Sequence, residues 1–304
     1  MILPTHDRMH LFQRSLASVL GQTLQAIEVI VIDNACTDGT SAWLATVGDP
    51  RVRVLRLDQK VGASAARNAA LKLARAELVA FQDDDDIWLP DKMERQVTVL
   101  RGSDSSVGLC LAGYVRLTPG GTQDRYHERY GEVDFNGTQG MLGINAIATP
   151  AWLVRRELLE RAGGFDEKMP ARNDWELALR LSDLCRFVYV AEPLFVQDQR
   201  VETTMMYNEA AVTRGVRRVI EIHGHRWAQH PRTRAHHALL IGRYELSAGD
   251  TADGRRWLSR SLRLNPWQPR VALMLLLSFL GQGSVRRART LRQQLYARLP
   301  IFFR

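Results

Sequence analysis

The sequence predicts an α/β fold, a mostly parallel sheet with helices on both faces, followed by an all-α C-terminal region. Short apolar segments alternate with helical patterns over roughly the first 80 residues, an order typical of parallel sheets wound with helices. Four adjacent carboxylates, Asp83 to Asp86, directly follow the apolar segment Leu78 to Phe81, where such a sheet has its ligand crevice. After residue 205 the pattern is helical to the end.

Each element is predicted from its own local pattern. Short apolar runs predict strands, apolar residues at helical spacing predict helices, and Thr37-Asp38-Gly39-Thr40 predicts a turn that caps a helix. From Gly102 the order is less regular, and the polar, Gly-rich residues 122–143 predict a mobile loop or lid. The predicted strands and core segments are Met1–Pro4, Ile27–Ile32, Val52–Leu57, Leu78–Phe81, Val107–Leu117 and Ala146–Val154, and the predicted helices are Leu11–Leu20, Thr40–Leu44, Ala63–Ala76 and Trp175–Leu184.

Length and composition indicate a soluble globular protein. The 304 residues suit one large or two modest domains, and 45% hydrophobic and 24% charged residues are ordinary values. No apolar stretch is long enough to span a membrane, and the polar run Thr5–Arg8 argues against a signal peptide. Cys36, Cys110 and Cys185 lack metal-ligand spacing and predict reduced thiols in a cytoplasmic protein.

Positive charge is concentrated in the last third of the chain. Residues 201–304 hold 18 Arg and no Lys against 6 acidic residues, a net charge of +12, which leaves −4 for the first 200 residues. No nucleic-acid-binding motif accompanies this charge, so we expect no nucleic acid partner. The interleaved Leu, Trp and Phe fit a membrane surface somewhat better, with solvated helix faces as the alternative.

Six short motifs follow one another in a fixed order over the first two thirds of the chain. They are Pro4-Thr5-His6-Asp7-Arg8, Val31-Ile32-Asp33-Asn34, Gly62-Ala63-Ser64-Ala65-Ala66-Arg67-Asn68, Asp83 to Trp88, Gly163-Gly164-Phe165-Asp166-Glu167 and Asn173-Asp174-Trp175-Glu176-Leu177. Singly each is weak, but together they closely resemble the family 2 glycosyltransferases, which have the GT-A fold. The resemblance implies a catalytic domain at residues 1–204, with a helical extension at 205–304.

The resemblance also implies an activity. A family 2 enzyme of this kind would be an inverting, metal-dependent hexosyltransferase that moves a sugar from a nucleoside-diphosphate sugar to an acceptor hydroxyl. The implied setting is the synthesis of bacterial cell-surface polysaccharide or glycoconjugate, on a saccharide, lipid-linked or protein acceptor. The implied location is cytoplasmic, with the basic helices offering a peripheral contact to the inner face of the membrane or to a protein.

Two other functions stay open at this point. The first is a nucleotidyltransferase-like enzyme that makes sugar nucleotides, although such an enzyme would need a Gly-rich phosphate loop near the first strand, which this chain lacks. The second is a non-catalytic interaction protein in which the helical region makes the functional contacts. The presence of Asp85, Arg67 and Asp174 argues against this function.

Residues that follow the first two strands stand side by side above a parallel sheet and can contact a nucleobase and ribose. Arg67 is expected in the first turn of its helix, gripping the diphosphate, with a surface pair to Glu77 as the alternative. Asn34 stands where many relatives have Asp, and an amide donates as well as accepts. The nucleotide-sugar contacts implied by the resemblance are Pro4, Thr5, His6, Arg8, Asp33, Asn34, Arg67, Asp83 and Asp84.

The acidic run carries the metal prediction. Clustered carboxylates repel one another, which favours a divalent cation that carries a phosphorylated ligand. The family pattern Asp-x-Asp falls on Asp83 and Asp85 and implies Mg²⁺ or Mn²⁺ there, but four Asp in a row leave the register open by one residue. Asp86 is expected to cap the helix that starts near Pro90, and an acidic first turn without metal is the alternative.

A catalytic base is needed to take the proton of the acceptor hydroxyl. The resemblance assigns this role to Asp174, which stands just before a predicted helix and would also be suited to cap it. It places the acceptor side at Gly164, Phe165, Asp166 and Trp175. Trp175 would stack on a sugar face or, as the alternative, lie buried without a ligand contact.

The C-terminal region contains a pattern near residues 235–268 that resembles one tetratricopeptide repeat, a helix pair. Gly254 and Ser261 stand where this pattern prefers Ala. A single repeat cannot bury its own faces, so we expect these helices to dock on the catalytic domain, on a partner or on a membrane.

The first predicted strand is short for this family. Only Met1, Ile2 and Leu3 precede Pro4, whereas the family's first strand usually has more apolar residues before its Pro-Thr. We therefore expect an incomplete strand, and expect that apolar residues added upstream would stabilise the domain.

Overall fold

The computed structural model describes residues 1–118, 123–125, 148–200 and 209–280, with residues 123–125 described for their backbone alone. The chain divides into two compact units, Met1–Thr204 and Met205–Arg304. The first unit is α/β, and the described part of the second is helical, so the predicted fold class is confirmed. Apart from residues 123–125, the predicted lid at 122–143 lies outside the described residues.

Three parallel strands form the first part of the sheet. They are β1 (Ile2–Thr5), β2 (Val29–Asn34) and β3 (Val52–Leu57), with the helices α1 (Met9–Leu20), α2 (Thr40–Leu44) and α3 (Ala63–Leu71) after them in turn. The strand order is β1-β2-β3, and Thr5 lies opposite Asp33 in the register. Because parallel strands end at the same edge, the polar residues that close β1 and β2 meet there.

The second part of the sheet mixes parallel and antiparallel pairs, which explains its less regular sequence pattern. Its strands are β4 (Leu78–Ala80), β5 (Ile87–Trp88), β6 (Val107–Leu117), β7 (Gln123–Arg125), β8 (Leu153–Arg155) and β9 (Arg186–Asp198). Their order is β4-β8-β6-β9-β5, with β7 on β6, and only β6 and β9 pair in parallel among them. A parallel bridge between Ile2 and Phe81 joins this part to β1.

Within the described residues, the first unit also contains the α-helices α4 (Lys92–Gly102), α5 (Arg156–Arg161) and α6 (Asn173–Leu181) and a short 3-10 helix at Thr149–Ala151. The expectation that Asp86 caps the helix near Pro90 is wrong, because β5 follows the acidic run and α4 begins only at Lys92. The Asp86 side chain is buried instead, and its Oδ1 accepts the backbone N–H of Asp198 at 3.3 Å.

Helix α4 is tied to the core by two buried polar side chains. The Gln96 amide donates to the carbonyls of Cys110 (2.9 Å) and Ala151 (2.8 Å) and accepts from the Lys92 ammonium (2.6 Å). Lys92 is fully buried, and its Nζ lies 4.1 Å from the centre of the Trp88 ring. Since no carboxylate among the described residues pairs with this ammonium, burial lowers the pKa of Lys92 to about 7.

The second unit contains the helices α7 (Glu209–His223), α8 (Pro231–Ala248), α9 (Thr251–Leu264) and α10 (Pro269–Phe279). The pair α8–α9 lies where the single repeat was predicted. A Cβ on Gly254 would lie 2.8 Å from the Leu246 side chain, and the Ser261 hydroxyl donates to the Ala235 carbonyl at 2.7 Å. The two departures from Ala therefore serve a close helix contact. Among the described helices, none is long and apolar enough to cross a membrane.

We expect Lys92→Met to remove a pH dependence of stability. The folded-state pKa of about 7 lies below the ordinary 10.5, so between these values the unfolded chain binds more protons and the wild-type free energy of unfolding rises with pH. Urea unfolding at about pH 7 and about pH 9.5 measures whether wild type gains stability relative to the variant. The exposed Lys72→Met is the control. Parallel pH profiles for wild type and Lys92→Met would contradict the assignment.

Candidate active site

The acidic run lies between β4 and β5, beside the end of β1. Thr5 closes β1, and its hydroxyl donates to Asp84 Oδ2 at 2.9 Å. The Arg8 guanidinium bridges two members of the run, donating to Asp84 Oδ1 at 3.0 Å and to Asp85 Oδ2 at 3.2 Å. The predicted neighbourhood of Thr5, Arg8 and the carboxylates is therefore present in the structure.

Burial and mutual repulsion make it unfavourable for all carboxyl groups of this crevice to be charged at once. Burial, together with the charges of Asp83 and Asp84, raises the pKa of Asp85 to about 7. Burial likewise raises the pKa of Asp84 and of Asp86, against the charge of Arg8 in the case of Asp84. Within the described residues, Asp86 Oδ2 is buried without a hydrogen-bond partner.

This imbalance of charge fits a divalent cation. The available donors are all carboxylate oxygens, which suits Mg²⁺ or Mn²⁺ better than a softer metal. Both oxygens of Asp84 accept hydrogen bonds, from Thr5 and Arg8, whereas Asp85 accepts from Arg8 and Asp83 from Arg67 through one oxygen each. The metal role of Asp85 and Asp83 stays a prediction.

Arg67, in α3, contacts the first carboxylate of the run. It is the fifth residue of α3, one turn later than expected, and its buried guanidinium donates to Asp83 Oδ1 at 2.5 Å. The guanidinium carbon lies 5.6 Å from the centre of the Phe165 ring. The alternative pair with Glu77 is not formed, because that carboxylate accepts from Arg155 at 2.9 Å.

Asn68, the residue after Arg67, clamps the Gly163–Phe165 turn through a two-point contact. Its amide nitrogen donates to the Phe165 carbonyl (2.9 Å), and its Oδ1 accepts the Phe165 N–H (2.8 Å). Gly164 has a φ of +71°, and a Cβ there would lie 2.6 Å from Asn68 Oδ1, so only glycine fits. The sequence placed Asn68 in a motif but offered no signal for this role.

Phe165, Asp166 and Trp175, which the resemblance places on the acceptor side, are held by contacts within the protein. The Phe165 ring is buried and packs edge-on against Phe81 at 5.3 Å. Asp166 Oδ1 accepts the backbone N–H of Lys168 at 2.9 Å. Trp175 is only 2% exposed, so its ring faces the core, in accord with the second alternative for this residue.

Asp174 lies in the first turn of α6. Its Oδ1 accepts the N–H of Trp175 at 2.8 Å, while Asn173 reaches back to the start of α3 by donating to the Ser64 hydroxyl at 3.0 Å. Burial raises the pKa of Asp174, and the charges of Arg172 and Arg67 oppose this rise. Since Arg67 also pairs with Asp83, Asp174 and the acidic run share one electrostatic environment.

Asp33 and Asn34 end β2, as predicted, but their polar atoms are already engaged. Asp33 Oδ1 accepts the Cys36 N–H at 2.9 Å, and Oδ2 accepts from Arg56 at 2.6 Å and from the Ser41 hydroxyl. Burial would raise the pKa of Asp33, but the hydrogen bonds from Ser41 and Cys36 and then Arg56 outweigh it and lower the pKa.

The Asn34 amide makes a second two-point contact, with both the N–H and the carbonyl of Val61 at 2.9 Å. It thus ties β2 to the loop that precedes α3. His6 Nδ1 lies 2.8 Å from the Asn34 carbonyl oxygen, and Pro4 pairs with Ile32 within the sheet. The residues predicted to contact the nucleotide therefore lie at one edge of the sheet, and the Asn34 side chain is bonded to backbone groups of Val61.

Asp198 is a neighbour of the acidic run that the sequence did not reveal. It ends β9, is buried, and donates its backbone N–H to Asp86. Its carboxylate accepts from Arg200 through both oxygens, at 2.8 and 2.6 Å. A polar residue at the end of an apolar strand was the available signal, but the irregular pattern before residue 190 concealed the strand.

A family model described as Glycosyl transferase family 2 matches residues 1–163, more than half of the chain. The chain belongs to glycosyl transferase family 2. The matched residues include the ends of β1 and β2, the start of α3 and the whole acidic run, so the resemblance seen in the sequence is confirmed.

Known proteins agree with this membership. The Escherichia coli family member named UDP-Glc:alpha-D-GlcNAc-diphosphoundecaprenol beta-1,3-glucosyltransferase WfgD is 36% identical over 100 residues, 33% of this chain and 40% of that protein. The chain spans less than half the length of several curated relatives that it matches.

Solved structures share the fold. The S. aureus TarS 1-349 structure in complex with UDP-GlcNAc has a TM-score of 0.63 at 17% identity, covering 96% of this chain and 90% of that one. The mannosyltransferase PcManGT from Pyrobaculum calidifontis, in complex with GDP-Man and Mn²⁺, has a TM-score of 0.57 at 20% identity, covering 98% and 87%. The predicted GT-A fold is confirmed.

We expect Asn68→Ala to lower the free energy of unfolding by about 2–4 kcal/mol, because two backbone groups of Phe165 lose their partners. Urea unfolding measures the change. The Asn68 amide also donates to Glu167 at 3.0 Å, so Glu167→Ala removes that exposed contact alone and should cost under about 0.5 kcal/mol. Equal stabilities for both variants would show that the clamp contributes nothing.

Proposed function

We propose that this chain is an inverting glycosyltransferase that moves a sugar from a nucleoside-diphosphate sugar to an acceptor hydroxyl. Family membership supports a sugar-transfer reaction. The observation that carries the proposal is that Asn173, the residue before Asp174, donates to Ser64 on α3, the helix whose Arg67 pairs with Asp83 at the edge of the acidic run. The charge of Arg67 also acts on Asp174. A base and an anion-binding, metal-binding surface thereby share one crevice. We assign catalysis to residues 1–204 and regard residues 205–304 as a helical extension.

Asp174 is proposed as the base. Direct displacement at the anomeric carbon forms a bond to the acceptor oxygen, breaks the bond to the diphosphate and releases the hydroxyl proton, which Asp174 takes. Its raised pKa makes the carboxylate a stronger base than an exposed Asp. The contact with the Trp175 N–H orients it without using both oxygens.

Arg8 and Arg67 are proposed to bind the diphosphate, since their guanidinium groups already stand at the acidic run. Asp85 and Asp83 would hold Mg²⁺ or Mn²⁺, which would supply positive charge to the leaving diphosphate. Asp84 would keep Arg8 in place through the contact described above.

The nucleoside is proposed to lie at the ends of β1 and β2. Pro4, Thr5 and His6 would border it from one strand, and Asp33 from the other. Asn34 would act through the Val61 backbone by holding the loop before α3. On the acceptor side, Gly164 and its neighbours Phe165 and Asp166 would shape the crevice, and the buried Trp175 would support α6.

The acceptor is proposed to be a lipid-linked saccharide of a bacterial cell-surface polysaccharide, at the inner face of the membrane. The name of the Escherichia coli relative includes a diphosphoundecaprenol compound, which supports this class of acceptor. Residues 254–304 hold 11 Arg and no acidic residue, and α10 exposes Leu273 (56%) and Leu276 (66%) beside Trp267 (92%). Exposed apolar side chains among cations suit an anionic lipid surface.

Calorimetric titration of a panel of nucleoside-diphosphate sugars, with and without Mn²⁺, tests the donor. We expect one of them to bind in a Mn²⁺-dependent way, and Asp85→Asn to weaken that binding by about 10-fold or more. Asp91→Asn is the control, because this carboxylate follows the run but pairs with Arg95. The proposal fails if no donor binds more tightly with Mn²⁺.

Asp174→Asn tests the base. We expect turnover to fall by about 10²–10⁴-fold while the Kd of the donor stays the same, because the amide cannot take a proton but keeps the size of the carboxylate. Asp183→Asn, an exposed carboxylate shortly after the same helix, is the matched control. Full activity in Asp174→Asn would reject the assignment.

A further inference from the structure

A second group of potential metal ligands lies outside the acidic run. His6 and Asp7 follow β1, and Cys36 follows β2. One ligand atom from each, an imidazole nitrogen, a carboxylate oxygen and the thiol sulfur, lie within 4.8 Å of one another. No local pattern in the sequence indicates this group, because Cys36 lies 30 positions after His6 and 29 after Asp7. The proposed sugar transfer gives no role to Asp7 or Cys36.

The loop backbone holds these side chains together. Asp7 has a φ of 50° and Ala35 a φ of 56°, and both lie in the left-handed region that non-glycine residues rarely occupy. Such strain persists where surrounding contacts impose it, here the Thr37 N–H that donates to Asp7 Oδ1 at 2.6 Å. The geometry of the group is therefore set by the fold.

The imidazole of His6 is oriented as in a metal ligand. Its Nδ1 lies 2.8 Å from the Asn34 carbonyl oxygen, and since a carbonyl only accepts, Nδ1 must carry the proton. In the neutral ring Nε2 then has the free lone pair. A backbone carbonyl on one ring nitrogen is the usual support for a histidine that binds metal through the other. Nε2 lies 3.5 Å from Asp7 Oδ2.

The presence of a thiol and an imidazole in this group favours a thiophilic cation. The hydrogen bond from the Thr37 N–H is the main reason that the pKa of Asp7 is lowered, so its carboxylate is charged at neutral pH. Burial raises the pKa of Cys36 to about 11, with the Asp7 N–H partly offsetting this rise. Zn²⁺ deprotonates coordinating thiols, whereas Mg²⁺ and Mn²⁺ prefer oxygen.

The distances also fit zinc. Ligands at about 2.0–2.3 Å from a tetrahedral Zn²⁺ are separated from one another by about 3.3–3.8 Å. The 3.5 Å between His6 Nε2 and Asp7 Oδ2 is already within this range. The widest separation in the group is at most 4.8 Å, so closing around an ion needs a movement of about 1 Å.

We propose that His6, Asp7 and Cys36 form a Zn²⁺-binding site, with a fourth position open to water, separate from the carboxylate site of Asp83 and Asp85. His6 is also a proposed nucleoside contact. We therefore infer that Zn²⁺ at this site competes with the donor nucleotide and inhibits transfer, an effect that rests on the proposed function.

Zinc binding is measured on the full chain without nucleotide, by competition with a chromophoric zinc chelator. We expect Cys36→Ser and His6→Gln each to weaken binding by about 10-fold or more. Cys110→Ser and Cys185→Ser are matched cysteine controls, and Asp85→Asn leaves the zinc site intact; all three should bind as wild type does. Wild-type affinity in both Cys36→Ser and His6→Gln would overturn the site.

Co²⁺ binding to the wild-type chain tests the site without any variant, so the result does not depend on whether a variant folds. Co²⁺ bound to the wild-type chain should show the visible bands of a tetrahedral ion and a thiolate charge-transfer band, which Zn²⁺ displaces. Absence of the thiolate band would remove Cys36 from the ligand set and overturn the proposal.

Donor titration at increasing Zn²⁺ tests the competition. We expect the apparent Kd of the donor to rise with Zn²⁺ in wild type and in Cys110→Ser, but not in Cys36→Ser. An unchanged Kd in wild type rejects the overlap with the nucleoside site. If no donor binds at all, the proposed function fails, while the chelator measurement decides the zinc site independently.

Discussion

Four carboxylates that lie side by side in a largely buried crevice repel one another, and much of the surrounding structure depends on how that repulsion is balanced. Arg8, which follows β1, and Arg67, in α3, both donate hydrogen bonds to carboxylates of the run. Two elements that are distant in sequence therefore meet at the acidic run. Even with Arg8 beside it, burial and then the charges of Asp83 and Asp84 raise the pKa of Asp85 to about 7. A divalent cation would offset the negative charge of these carboxylates and would at the same time bind a diphosphate.

Two asparagine side chains connect the loops around this crevice. Asn34 binds both polar backbone groups of Val61, and Asn68 does the same for Phe165. Each amide bonds both the N–H and the carbonyl of one loop residue, as a backbone partner in a sheet would. Through these contacts the start of α3, which carries Arg67, is held between β2 and the Gly163–Phe165 turn. The position of the guanidinium thus rests on amides that touch no carboxylate of the run.

Membership of glycosyl transferase family 2 and the shared fold leave considerable freedom in detail. The TarS structure superimposes with a TM-score of 0.63 although only 17% of residues are identical. In this chain the polar ends of β1 and β2 meet the acidic run at the common edge of parallel strands, as this type of sheet requires.

The sequence by itself determined the alternation of strands and helices over the first 80 residues, the family, and the polar residues after the early strands, including Asp33 and Asp85. These follow from local patterns and from the rule that parallel strands end together. The sequence did not reveal the strands β5 and β9. Only the tertiary structure decided that Asp86 is buried beside Asp198, that Trp175 faces the core and that Asn68 clamps Phe165. Each of these contacts joins residues from different elements, so it depends on how whole helices and strands pack, which no local pattern encodes.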